Sequence, residues 1–228
     1  HLGLGKLIVL YDDNHISIDG PTRLAFTEDR LGRFSAYGWQ TLQVADGNDT
    51  AAISGAIDKA RSVADAPSII AVRTHIGFGS PNRQDTAAAH GSPLGEEEVA
   101  LTKRNLGWPE KPPFLVPREV SEFFAGTLES SRRAEETWKT LMEEYEARHP
   151  ESAATLRQMV EGRLPGGWEK TVPDLRGESL ATRTASGKVI NSLAPALPHL
   201  IGGSADLAPS NNTWIEGERA FTRESRDG

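Results

Sequence analysis

Two short and almost wholly apolar runs constrain this chain more than anything else in it: Lys6–Tyr11 (KLIVLY) and Ser68–Val72 (SIIAV). Runs of this kind suit strands buried on both faces, as parallel sheets require. Between them Thr41–Val44 is a further short strand. Asp49–Ala64 carries apolar residues at Ile53, Ala56, Ile57 and Ala60, a helical spacing with Asn48 or Asp49 as its cap. Strand, helix and strand in this order predict an α/β fold, with a parallel sheet and crossover helices.

After Thr74 the pattern changes. Ile76–Leu94 is rich in Gly, Pro, Ser, Asn and Ala and has no period of 2 or 3.6. A loop that long inside a domain is expected to be functional or disordered. Glu96–Asn105 restores a helix. Trp108–Pro117 holds four prolines and reads as extended. Arg118–Arg148 is the longest helical pattern, with Val120, Phe123, Phe124, Leu128, Trp138, Leu141, Met142 and Tyr145 able to form one apolar face. His149-Pro150 ends or kinks it. Ser152–Arg163 is a further short helix, Gly166–Gly177 a linker, and Leu180–Leu193 a helix stopped by Pro195 and Pro198. Leu200–Asp206 reads as a short strand entering a Gly/Ser loop.

At 228 residues, one or two domains are expected. The net charge of −7 argues against a broad nucleic-acid footprint and offers no polybasic membrane patch. With no cysteine, disulfides, zinc–thiolate sites and thiol catalysis are excluded. Apolar runs such as Leu7–Leu10 are far too short to span a bilayer. The chain begins at His1 with no signal peptide pattern, and reads as a segment of something longer.

Three segments could carry chemistry. Tyr11–Gly20 (YDDNHISIDG) follows a strand directly, and α/β folds place ligands at strand C-termini. Asp12, Asp13 and Asn14 are hard oxygen donors suited to Mg²⁺ or Ca²⁺, although a strand ending in a polar turn accounts for the segment alone. In Ile76–Asn82 (IGFGSPN) the glycines let backbone approach a ligand closely, without the spacing of a dinucleotide fingerprint or a P-loop. His90, in HGSPL, is a candidate acid–base group because imidazole titrates near neutral pH; a solvated loop histidine is the plainer reading. In Gly202–Asn211 (GGSADLAPSN), Asp206 and Ser210 could contact a ligand, or simply cap a turn. The Arg183 guanidinium suits phosphate.

Taken together, these segments resemble transketolase, a thiamine-diphosphate enzyme. HLGLGKLIVLYDDNHISIDG, THIGFGSPN…HGSPLG, LATRTASGKVIN and LIGGSADLAPSN resemble four family segments, in the family's order. The resemblance implies that Asn14 binds Mg²⁺ and the diphosphate, and that the Ile16 carbonyl is a second Mg²⁺ ligand; Ca²⁺ or Mn²⁺ can substitute. It implies that Ile18 and Ile76 flank the thiamine, and that His90 contacts both cofactor and substrate as the catalytic group. Arg183 and Ser210 would bind the sugar phosphate, and Asp206 would reach the cofactor from a neighbouring subunit of a homodimer. The implied activity is transfer of a two-carbon ketol unit between sugar phosphates in the pentose phosphate pathway.

The resemblance also implies a division: residues 1–107 as the latter part of a diphosphate-binding domain, 108–178 as a connector, and 179–228 as the start of a pyrimidine-binding domain. The family's Gly-Asp-Gly aspartate and its catalytic glutamate would lie outside the chain. The expected fold is therefore an incomplete α/β parallel-sheet fold, poorly folded in isolation, and the location cytoplasmic. A related dihydroxyacetone synthase, or a non-catalytic interaction module, remains an open alternative.

Overall fold

The computed structural model describes residues 1–225 and divides into two compact units, His1–Leu115 and Val116–Gly228. The first contains β1 (Ile8–Asp13), β2 (Ile16–Ser17), β3 (Gly20–Pro21), α1 (Arg30–Ala36), β4 (Gln40–Val44), α2 (Thr50–Arg61), β5 (Ser68–Arg73) and α3 (Glu96–Asn105). The second contains α4 (Arg118–Arg148), α5 (Pro150–Val160), α6 (Thr182–Leu193) and α7 (Ala208–Asn211).

The sheet of the first unit has the order β1-β5-β4, all parallel, with Ile8 and Gln40 both in register with Ser68. Five consecutive buried residues, Ser68 to Val72, make β5 the central strand. Ile70 and Val72 meet Val44, Ala56 and Ala60 in the core, with Ile8, Leu42, Ile53 and Ile57 at its margin. Thus α2 covers one sheet face with the stripe its spacing predicts. The Asp49 carboxylate caps it, accepting from the Ala52 N–H at 2.9 Å. Helix α1 packs against β4 and β5. It is held at its start by Asp29, which accepts from the Gly32 N–H at 2.9 Å.

One expectation is corrected here. β1 begins at Ile8, not Lys6, and is not buried on both faces: Leu10 is 51% exposed. Among the described residues β1 pairs with β5 alone, at an edge of the sheet where its side chains have fewer neighbours.

In the second unit, α4 runs over the expected residues. His149 ends it, and Pro150 opens α5 where its missing N–H costs nothing. The apolar face expected along α4 is only partly covered. Met142 and Tyr145 are half-buried, while Phe123, Phe124 and Trp138 are exposed. The 11-residue α5 is too short to shield 31 residues. Exposed pairs one turn apart line the helix, such as Glu135 with Lys139 at 2.7 Å. The strand expected over Leu200–Asp206 is absent: the segment is irregular, with its Gly-Gly pair and no described strand in this unit to pair with. Among the described residues no helix is long and apolar enough to cross a membrane.

Candidate functional site

β1 and β5 end side by side, with Asp13 opposite Arg73, so the segments that follow both strands leave the same end of the sheet. Beyond β1 the chain turns sharply. His15 adopts φ 63°, and the Asn14 side-chain oxygen accepts the Ile16 N–H at 2.9 Å. Ile16 then faces Pro21 in the small β2–β3 ribbon. This pair lies between the hydrogen-bonded positions of the ribbon, so the Ile16 carbonyl takes no bond from its partner residue. The ribbon is pinned by the Thr22 N–H donating to the His15 carbonyl at 2.9 Å, and by the Ser17 hydroxyl donating to the Gly20 carbonyl at 2.9 Å. Asn14 and Ile16 thus place a side-chain and a backbone oxygen, both neutral, within one hydrogen-bonded turn.

The neighbouring aspartates are otherwise engaged. Asp12 accepts from the Thr74 hydroxyl. Buried Asp13 takes Arg30 Nη2 at 2.9 Å on one oxygen, while its other oxygen, Oδ1, is buried without a partner. Arg30 also lies 5.3 Å from the Tyr11 ring centroid and 5.6 Å from that of Phe26. Among the described residues no cluster of three His, Asp or Glu side chains could hold a metal. A hard cation here would rely on the Asn14 and Ile16 oxygens plus oxygens of its own ligand and water. That donor chemistry fits Mg²⁺, which commonly keeps waters and shares phosphate.

Beyond β5, the loop that has no sequence period is nevertheless ordered by side chains. His75 Nδ1 lies 2.8 Å from Asp85 Oδ2, and the Ile76 carbonyl accepts the Asp85 N–H at 3.0 Å. Gly77 adopts φ 62°, and a Cβ there would fall 3.1 Å from the Ala89 Cβ. The loop therefore folds back, so that the residue preceding His90 rests on the residue following Ile76. Gly79, at φ 84°, leaves room for Leu106, and its N–H donates to Gln84 Oε1 at 2.9 Å. Half-buried Ile76 and exposed His90 thus belong to one ordered loop, while Ile18 stands 72% exposed beyond the ribbon.

Glu98, the third residue of α3, was not singled out by the sequence. It is buried and accepts from the Ser80 hydroxyl, the Asn82 N–H at 2.9 Å and the Asn82 side-chain amide at 2.8 Å. The only sequence signal is three glutamates in the first turn of a helix, a favourable place for negative charge. The Ser80 hydroxyl first, and then Asn82, hold its carboxyl below the usual carboxylate range. A carboxylate made more acidic by folding stabilises the fold above its unfolded pKa, and that contribution is lost as pH falls through the folded one. Thermal melts should therefore show Glu98→Gln well below the wild type at neutral pH, with the gap closing on acidification. A gap independent of pH would contradict this.

In the second unit Arg183 is the second residue of α6 and is exposed, and Ser210 is exposed on α7. The two helices touch. Gly187 is buried, and a Cβ there would lie 2.8 Å from both the Cβ and the carbonyl oxygen of Asn212. Asn191 completes the join: its amide donates to the Trp214 carbonyl at 3.1 Å, and its oxygen accepts the Glu216 N–H at 2.7 Å. Asp206, exposed at φ 60°, sits in the turn before α7, where the Ser204 hydroxyl accepts the Leu207 N–H at 3.1 Å. Two groupings are therefore on view: Asn14, Ile16, Ile76 and His90 around one sheet end, and Arg183 with Ser210 on paired helices.

A family model described as "Transketolase, thiamine diphosphate binding domain" matches residues 1–165, and one described as "Transketolase, pyrimidine binding domain" matches 178–226. The chain is 48% identical over 230 residues to a transketolase of Geobacillus stearothermophilus, covering 100% of this chain and 34% of that protein. It is 49% identical over 226 residues to one from Nostoc sp., covering 98% and 34%. Among solved structures, transketolase from Leishmania mexicana superposes with a TM-score of 0.89 at 37% identity, covering 100% of this chain and 34% of that one. The Pichia stipitis enzyme in complex with sedoheptulose 7-phosphate gives 0.86 at 39%, covering 97% and 33%. The chain spans about a third of the length of these relatives.

Proposed function

The chain belongs to the transketolase family, and on that premise we propose that it forms part of an enzyme moving a two-carbon ketol unit from a ketose phosphate to an aldose phosphate. Thiamine diphosphate, when bound with Mg²⁺, supplies the nucleophilic carbon for that chemistry. The rest is the work of the chain. The Asn14 side-chain oxygen and the Ile16 carbonyl hold Mg²⁺ and, through it, the diphosphate. Ile76 and Ile18 give the thiamine an apolar flank. His90 is placed to hold or move a proton at a sugar hydroxyl. The Arg183 guanidinium and Ser210 hydroxyl take the sugar phosphate, and Asp206 acts towards the cofactor across a homodimer interface. Such an activity belongs to the pentose phosphate pathway.

The observation that supports this reading is the turn after β1, where the Asn14 side-chain oxygen is tied to the Ile16 N–H at the C-terminal end of a parallel strand. Calorimetric titration with thiamine diphosphate tests it. Binding should require Mg²⁺, and Asn14→Ala should weaken it at least roughly tenfold, the scale on which metal sites respond to loss of a supporting group. Equal binding by both proteins would overturn the assignment. Binding by neither would show that groups expected outside this chain are needed to hold the cofactor, with the function residing in a longer protein.

A further inference from the structure

We propose that Glu98 is a positioning residue: its carboxylate sets the conformation of the Ile76–Leu94 loop, and so the placement of Ile76 and His90. The link to those two residues rests on the functional reading above; the clamp itself rests on geometry alone.

The loop is joined to α3 at two points on one face of the helix, two turns apart. Glu98 holds Ser80 and Asn82, and the Asn105 amide donates to the Gly79 carbonyl at 2.9 Å. From Ser80 the order propagates in both directions. Its N–H donates back to the Gly77 carbonyl at 2.9 Å, and its hydroxyl accepts the Arg83 N–H at 3.2 Å. The Arg83 carbonyl accepts from the Thr86 hydroxyl at 2.7 Å, the Thr86 carbonyl from the Ala89 N–H at 3.1 Å, and the Ala87 carbonyl from the His90 N–H at 3.0 Å. On the other side, the Asp85 N–H pins the Ile76 carbonyl. Every step between the carboxylate and His90 is thus a hydrogen bond or a short stretch of chain.

A carboxylate suits this task because it only accepts, and three donors converge on it. Alanine would remove the acceptor for the Ser80 hydroxyl, which is buried, and for both Asn82 donors. Glutamine would keep the shape but turn an amino group towards donors. Glu98 touches no reacting group itself; it acts through the loop.

Amide hydrogen exchange on the chain without ligand decides the matter. In Glu98→Ala, the amides of Arg83, Asp85, Thr86, Ala89 and His90 should exchange about tenfold faster or more, as expected when charge-assisted bonds to a local unit are lost. Glu98→Gln should show a smaller rise, and in both variants the Ile69–Val72 amides, which report global unfolding, should speed up less than the loop amides. If Glu98→Ala does not fold, Glu98→Gln is judged by the same comparison. Unchanged loop exchange, or loop and sheet loosening by the same factor in both variants, would overturn the clamp. Thiamine diphosphate with Mg²⁺ then probes its consequence. Glu98→Gln should bind it more weakly than the wild type, and wild-type affinity despite a loosened loop would remove the link to Ile76 and His90. A wild type that binds no cofactor would show that groups outside this chain are needed for binding, and exchange alone would then judge the clamp.

Discussion

Truncating Ile70 to alanine should cost about 2–5 kcal/mol, the largest single loss expected in the first unit. Ile70 is fully buried at the middle of β5, with core residues from β4 and α2 around it. The deletion leaves a cavity that three elements would have to close together. Against a typical total of about 5–15 kcal/mol, such a loss is a large fraction of the stability. Urea unfolding provides the measurement, with a lower midpoint and an unchanged slope expected. Leu10→Ala is the matched control. It removes the same kind of side chain from an edge strand where it is half-exposed, so its cost should be clearly smaller. Equal losses at both positions would mean that β5 is not the centre of the sheet.

The second large effect is expected at Gly187, and there the sign is informative. In an exposed helix interior, replacing glycine by alanine gains about 1 kcal/mol through backbone entropy. Gly126 in α4 is such a place, with open space where a Cβ would go, and Gly126→Ala should stabilise. Gly187→Ala should do the opposite. Its Cβ would press against the Asn212 backbone, and Asn212 is already left-handed at φ 52° and has little freedom to yield. Overpacking of this kind costs about 1–3 kcal/mol, which outweighs the helical gain. Pushing Asn212 away also pulls α7 off α6, separating the helix of Arg183 from that of Ser210. Thermal melts of the two variants should therefore move in opposite directions. A stabilised Gly187→Ala would show that the contact between α6 and Asn212 is not close.

What the sequence revealed, and what it hid, divides along physical lines. β5 was legible because four apolar residues in a row, Ile69 to Val72, have no other good home. α4 was legible because its pattern runs for 31 residues and stops at His149-Pro150. The edge position of β1 was not, because its composition matches that of a central strand and only the partner count distinguishes the two. α1 was missed: seven residues with no sustained apolar period are held by the Asp29 cap and by packing on β4 and β5, neither of which is a periodic signal. Leu200–Asp206 looked like a strand from local composition, but a strand needs a neighbour. At the site, Asn14 stood out as a polar residue straight after an apolar run. Glu98 did not, because its meaning depends on Ser80 and Asn82, which lie 18 and 16 residues away.

The order β1-β5-β4 has a consequence for a chain emerging from a ribosome. Among the described residues β1 and β4 each pair with β5 alone, and β5 comes last of the three in sequence. No rung of this sheet can form until residues 68–73 have been synthesised, however long β1 and β4 have already been outside. At about 5–20 residues per second, several seconds of synthesis separate the completion of β1 from that of its partner β5.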